Sequence, residues 1–205
     1  MKATETLRVE HQVILKVLDC LEEIAHAAER DGALDLVSAD EALDFLTTFA
    51  DGCHHGKEEH AFFPALVKRG LPLQVGPIAV MLADHREGRE LRARMARGLE
   101  GARRSESGAI ATFAAAAEAY VALMQDHIDK ENGVLFPMGD EMLSASDQTE
   151  LEHAFEQVEH VDMGAGVHER YLALVERLCV RLAIDPALPT AAAGGCCGHK
   201  HSCHG

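Results

Sequence analysis

The sequence has no tryptophan, and its aromatic residues amount to 4% of the chain. A core must therefore be packed mostly by Ala and Leu. Positive charge is scarce as well, with 19 Lys+Arg against 34 Asp+Glu and a formal charge of -15. Nucleic acid and anionic membrane surfaces both demand clustered positive charge, so neither is an expected partner. No stretch approaches the roughly 20 apolar residues of a membrane-spanning helix. A Gly-Lys-Ser/Thr loop and a GxGxxG turn are both missing, which argues against a polyphosphate-binding enzyme. The opening Met1-Lys2-Ala3-Thr4-Glu5-Thr6 has no basic stretch followed by an apolar one, so no secretion signal is read and the cytoplasm is the expected compartment. Cysteine points the same way. Cys20, Cys53 and Cys179 are scattered singly and Cys196, Cys197 and Cys203 crowd the last ten residues, which is not a disulfide framework.

What the chain has in number is histidine, 13 of its 205 residues, beside a 47% hydrophobic content that suffices for one core. Proline and glycine divide the chain into long segments of helical period, with no convincing alternation of strand type. Helices are expected over about Thr4 to Arg30, Ser38 to Arg69, Pro77 to Arg103 and Ser107 to Met138. The second would open on a capping box of Ser38 and Glu41, and the third on Pro77. Two shorter helices follow, about Ser146 to Val161 and Val167 to Ile184. The expected fold is all-α: an antiparallel four-helix bundle over residues 1–143, a two-helix extension over 144–185 and a flexible Cys/His-rich tail over 186–205.

Each apolar stripe of the four long helices is interrupted by histidine. His11 precedes Ile14 and Leu18; His54 and Glu58 follow Leu43 and Ala50; His85 follows Ile78 and Met81; His127 and Glu131 follow Phe113 and Tyr120. An internal repeat singles out the same residues. His11 and His85, His54 and His127, Glu58 and Glu131, and Pro64 and Pro137 all lie 73 or 74 positions apart. His55 and Glu59 share the His-x-x-x-Glu spacing, but their repeat partners are Ile128 and Asn132, so the repeat favours His54 and Glu58.

Residues four apart share a helix face. His-x-x-x-Glu on two helices, with one His from each of the others, would bring four imidazoles and two carboxylates into one layer of the core. Two buried carboxylates need a compensating charge, and a pair of divalent or trivalent ions supplies it. Nitrogen and oxygen donors without Cys suit iron, manganese or zinc. One such His alone is most often a hydrogen-bonded core residue; four His and two Glu in register are not. Ferritin-like carboxylate proteins place the carboxylate first and three apart, whereas here His comes first and the spacing is four.

Glu10-His11, His54-x-x-x-Glu58-Glu59 with Phe62-Phe63-Pro64, Asp84-His85, and His127-x-x-x-Glu131 with Leu135-Phe136-Pro137 together resemble the hemerythrin-like (HHE cation-binding) domain over about residues 3 to 140. The resemblance implies a four-helix bundle with two non-haem iron ions under an oxo or hydroxo bridge, held by His11, His54, Glu58, His85, His127 and Glu131. The oxygen-carrying hemerythrins have a second His four positions after the one on the third helix; here that position is Arg89. The four-His, two-Glu set is similar to that of the iron–sulfur repair di-iron proteins of nitrosative and oxidative stress, although their Cys-bearing N-terminal segment is missing. The implied function is binding of, or reaction with, a small oxidant (dioxygen, peroxide or NO), with peroxidase-like or NO-reducing turnover needing a redox partner protein. A redox or oxygen sensor, and a metal-handling protein, are the other readings.

Further candidates lie outside this set. Tyr120, on the stripe of His127, could donate a hydrogen bond to a bound ligand or simply sit at the core boundary. Lys57 and Lys130 recur beside the ligand Glu, and Cys53 abuts His54. His153, Glu156 and His160 read as an exposed helix face, while His168 on its Gly-flanked turn is a candidate fifth imidazole. In the tail, Cys196, Cys197, His199, His201, Cys203 and His204 could take zinc, nickel or copper.

Overall fold

The computed structural model describes residues 2–159, 164 and 166–187. Helix α1 (Ala3–Asp31) buries Leu7, His11, Ile14, Leu18, Leu21 and Ala25 on one side and stops at Gly32, whose φ of 63° is the left-handed cap position. Helix α2 spans 36–68 without a break, and its cap differs from the sequence reading. Asp35 accepts from the Val37 and Ser38 amides, and the Ser38 hydroxyl donates to the same carboxylate at 2.6 Å. The expected Ser38–Glu41 box therefore does not form. Glu41 instead pairs with Arg181 at 2.7 Å. Helix α3 (Pro77–Arg103) opens on its proline, and helix α4 spans 109–142. Helix α5 (Ala145–Gln157) is capped reciprocally by Ser144 and Asp147, and α6 (Val167–Arg181) follows. Among the described residues there is no strand.

Both α2 and α4 leave α geometry along part of their length, α2 from its middle onward and α4 near its C-terminal end. In α2 the stretches Leu46–His55 and Glu58–Phe62 are π-helical, and in α4 the stretch Glu131–Leu135 is. The Phe63 amide reaches the Glu58 carbonyl and the Phe136 amide that of Glu131, five residues back in each case. The next residue is Pro64 or Pro137, which has no N–H and presses on the carbonyl four residues earlier. Widening the turn relieves that clash without ending the helix.

Helix α1 packs between α2 and α4, and α3 packs against the same two, giving the antiparallel bundle. Small residues set the α3–α4 approach: a Cβ on Gly98 would lie 2.6 Å from the Phe113 nitrogen. The aromatics matter more than their number suggests, because all seven Phe are buried. Two apolar clusters result. One, with Leu18, Leu21, Phe45, Phe49, Phe113 and Leu178, fills the half of the bundle on which α6 packs. The other, with Leu7, Phe62, Phe63, Phe136, Leu151 and Phe155, joins the opposite end to α5. The histidine stripes cross the bundle between them. Among the described residues no helix is long and apolar enough to cross a membrane.

Candidate metal centre

All six residues expected from the repeat are buried, and the structure brings them together with a seventh, His55. Their donor atoms form two groups, each with all atoms within 4.8 Å of one another: His55, Glu58, His85 and His127 in one, His11, His54, Glu58 and Glu131 in the other. Glu58 lies between them. Its Oε1 is 3.4 Å from His54 Nε2, and its Oε2 is 3.4 Å from His85 Nε2. Glu131 does the same with one oxygen, Oε2 standing 3.2 Å from His11 Nε2 and 3.4 Å from His127 Nε2.

All four carboxylate oxygens of Glu58 and Glu131 are buried without a hydrogen-bond partner, as is Nε2 of His11 and His54. Left so, each carboxylate would cost several kcal/mol, on the order of what burying an uncompensated charge costs. Burial and the neighbouring Glu131 push Glu58 well above the ordinary carboxylate range. Burial likewise drops His54 to about 4, so its imidazole is neutral and able to ligate. Unpartnered carboxylates facing imidazole nitrogens fit cations of the iron, manganese or zinc type, whereas without one Glu131 holds the His127 imidazole up to about 9 despite its burial.

The hemerythrin HHE cation-binding domain matches residues 2–139, which takes in α1 to α3 and nearly all of α4. The chain belongs to the hemerythrin HHE family. Uncharacterised proteins of Mycobacterium tuberculosis and Mycobacterium bovis are 26% identical to it over 162 residues, covering 79% of this chain. The chain spans 63% of the length of those relatives. No solved structure matches it.

The outer edge of each imidazole in this HHE site faces a polar group, and for three of the five the contact is a hydrogen bond that fixes the ring. His11 Nδ1 is 3.0 Å from Asn132 Oδ1, His54 Nδ1 is 2.9 Å from Glu10 and His85 Nδ1 is 2.7 Å from Glu59. His127 Nδ1 stands 3.5 Å from Asp84, and His55 Nδ1 3.6 Å from Asp51. These partners obey the repeat. Glu10 and Asp84, each just before a ligand-type His, support the His of the next helix; Glu59 and Asn132, each just after a ligand-type Glu, support a His across the bundle. Lys57 and Lys130 complete the pattern, binding Glu10 and Asp84. The sequence displayed all three pairs at their repeat spacing, and the signal missed was that a repeated ligand implies a repeated partner.

His55 is the residue that the repeat set aside. The long π stretch of α2 puts His54 and His55 on the inward side in succession, and His55 stacks on His85 with centroids 3.9 Å apart. The candidate fifth imidazole, His168, is placed elsewhere. It lies against Phe49 at 5.4 Å and joins neither donor group. Arg89 fills the position where a second third-helix His was absent, linking Asp51 and Glu59 at 2.7 Å each. Tyr120 is buried and lines a cavity of about 10 Å³, the space of one water, with His55, His85, Gly88 and Arg92. Cys53 is buried, and burial lifts its thiol to about 11, an inert position. His153 and Glu156 are exposed on α5. His160 and the tail donors Cys196, Cys197, His199, His201, Cys203 and His204 lie outside the described residues.

Proposed function

We propose that this HHE domain holds two non-haem iron ions under an oxo or hydroxo bridge and binds, or reacts with, a small oxidant (dioxygen, peroxide or NO) in the redox or nitrosative stress response. The observation that carries this reading is the set of four unpartnered carboxylate oxygens between two unequal groups of imidazoles. His55, His85 and His127 would hold one ion and His11 and His54 the other, with Glu58 and Glu131 across both. When bound, the iron pair supplies electrons and, at the ion with fewer imidazoles, an exchangeable position. The chain's own groups fix the rest: Asn132, Glu10 and Glu59 hold three of the rings by hydrogen bonds, Asp84 and Asp51 face the other two, and the Phe-lined clusters on either side exclude water. With His55 counted the set has five imidazoles, one more than the count that likens the sequence to the repair proteins. Reversible binding and turnover with an electron-donating partner both fit that set, and the cytoplasm is the proposed compartment.

The test is iron per chain on full-length protein whose tail Cys and His are replaced by Ser and Ala. Two irons, lost together when Glu58 and Glu131 become Ala, support the reading, with O2, peroxide and NO reactivity to follow. Zinc, or no metal after reconstitution, would sink it. Sensing has one observation of its own. Lys57 is wholly buried between Glu10, which holds His54, and Glu159 just beyond α5, so an ionic chain joins the extension to the site. A sensor would change the protease protection of residues 146–184 on oxidation. Metal handling through the tail predicts more than two metals per unmodified chain.

A further inference from the structure

The sequence scatters Cys20 and Cys179 as isolated residues, yet the fold places their sulfurs 3.5 Å apart. Cys20 lies in the middle of α1 and Cys179 near the end of α6, 159 positions away, and both are fully buried in the larger apolar cluster. We infer that Cys20 and Cys179 form a dithiol that hydrogen peroxide converts to a disulfide, clamping α6 to the bundle. The sulfurs need to approach by about 1.5 Å to reach the roughly 2.05 Å of a disulfide, a shift that side-chain rotation with a small helix adjustment supplies.

Burial and the neighbouring sulfur push the Cys20 thiol up, so the docked pair is protected. Oxidation therefore proceeds when α6 lifts. This helix packs chiefly on α1 and α2, and its polar ties to α2 are confined to two side chains: Arg181 donates to Glu41 at 2.7 Å and to Ser38 at 3.2 Å, and the Tyr171 hydroxyl to Asp44 at 2.9 Å. An element held so opens at a lower free energy than the bundle. In the open state one thiolate attacks a peroxide oxygen; the S–O bond forms, the O–O bond breaks and water leaves, giving a sulfenic acid. When α6 redocks, the second sulfur attacks the first, the S–S bond forms and a second water leaves with the remaining thiol proton. The two sulfurs together give up two electrons and the peroxide accepts them.

The clamp has a place in the molecule's chemistry. The first turn of α6 carries His168, which lines a small cavity with Phe49, Cys53, Val167 and Glu159, beside the turn that bears His54. Tying residue 179 to α1 holds that cover in place. The inference needs no metal in the bundle, so it stands or falls separately from the proposed function.

The test uses the full chain, treated with peroxide, denatured in N-ethylmaleimide and digested with trypsin without reductant. Peptide 17–30 linked to peptide 178–181 is expected, about 2 Da below the sum of the free peptides because two hydrogens are lost, and gone after reduction. Native trypsin cleavage at Arg170 and Arg177 should slow about tenfold after oxidation, and show no such change in Cys179→Ala. Alkylated Cys20 and Cys179 would overturn the inference, as would a link from either to Cys53 or the tail. A linked peptide without slower cleavage would overturn the clamp.

Discussion

At the scale of single residues, the site turns on which imidazoles face the carboxylates, and His55 and His168 make opposite predictions. His55 lies in the three-imidazole group, stacked on His85; His168 lies on Phe49, outside both groups. His55→Ala should therefore take iron from two per chain toward one, while His168→Ala leaves iron content and the visible spectrum unchanged. Elemental analysis of the two variants decides it, and iron lost from His168→Ala instead would reverse the assignment. Partners of ligands matter nearly as much as ligands, because an unsupported ring turns. Asn132 holds His11 at 3.0 Å and also accepts from Arg8 through its side chain at 3.1 Å. Asn132→Ala should weaken iron binding by about 10- to 100-fold in a chelator competition, with helicity by circular dichroism unchanged.

At the scale of helices, helical period between prolines and glycines made the four long helices legible, and the spacing of 73 or 74 singled out six of the seven residues that the structure brings together. The π turns were not legible. His55 was set aside because its repeat partner is Ile128, and a repeat cannot display a donor that only one of its two copies carries; Pro64 and Pro137 were visible, but their effect on register appears only when the helix is built past them. The start of α2 escaped for a related reason. Ser38 and Glu41 have the spacing of a cap, yet Asp35 starts the helix three residues earlier and its charged carboxylate takes the Ser38 amide that the box would give to Glu41. The extension gives an electrostatic prediction. Hydrogen bonds from the Ser144 hydroxyl and amide, with the Arg69 guanidinium just past α2 at 2.8 Å, hold Asp147 at about 2. A carboxyl whose folded value lies below its unfolded one stabilises above the unfolded value of roughly 3.9 and loses that contribution as pH falls toward 2. Wild type should thus have a higher urea midpoint than Asp147→Asn at pH 6, and the gap should shrink to about a third by pH 2.5. A gap that persists undiminished in acid would show that the cap's shape, not its charge, fixes α5.

For the molecule as a whole, the metal layer opposes the stability that surrounds it. Two apolar clusters draw the ends of the bundle together, and between them sit two carboxylates with no hydrogen-bond partner in a chain already at -15. Without a cation, Glu58 is held toward its neutral form by burial and by Glu131, so a neutral side chain of the same shape suits the empty site as well as the native one. With cations present the same carboxylate supplies charge to both donor groups, and binding at a thousand times the dissociation constant stabilises the folded state by about 4 kcal/mol. Glu58→Gln should therefore change sign with loading. In chelator-treated protein its unfolding free energy should lie within about 1 kcal/mol of wild type or above it, since the exchange replaces a carboxyl already held toward its neutral form by an amide of the same shape. On adding iron, wild type should rise by several kcal/mol while the variant gains little. Urea titrations of both chains with and without iron make the comparison. A variant that is much less stable even when apo would show that Glu58 is a structural carboxylate with a partner of its own, and the case for a metal between the two clusters would fail with it.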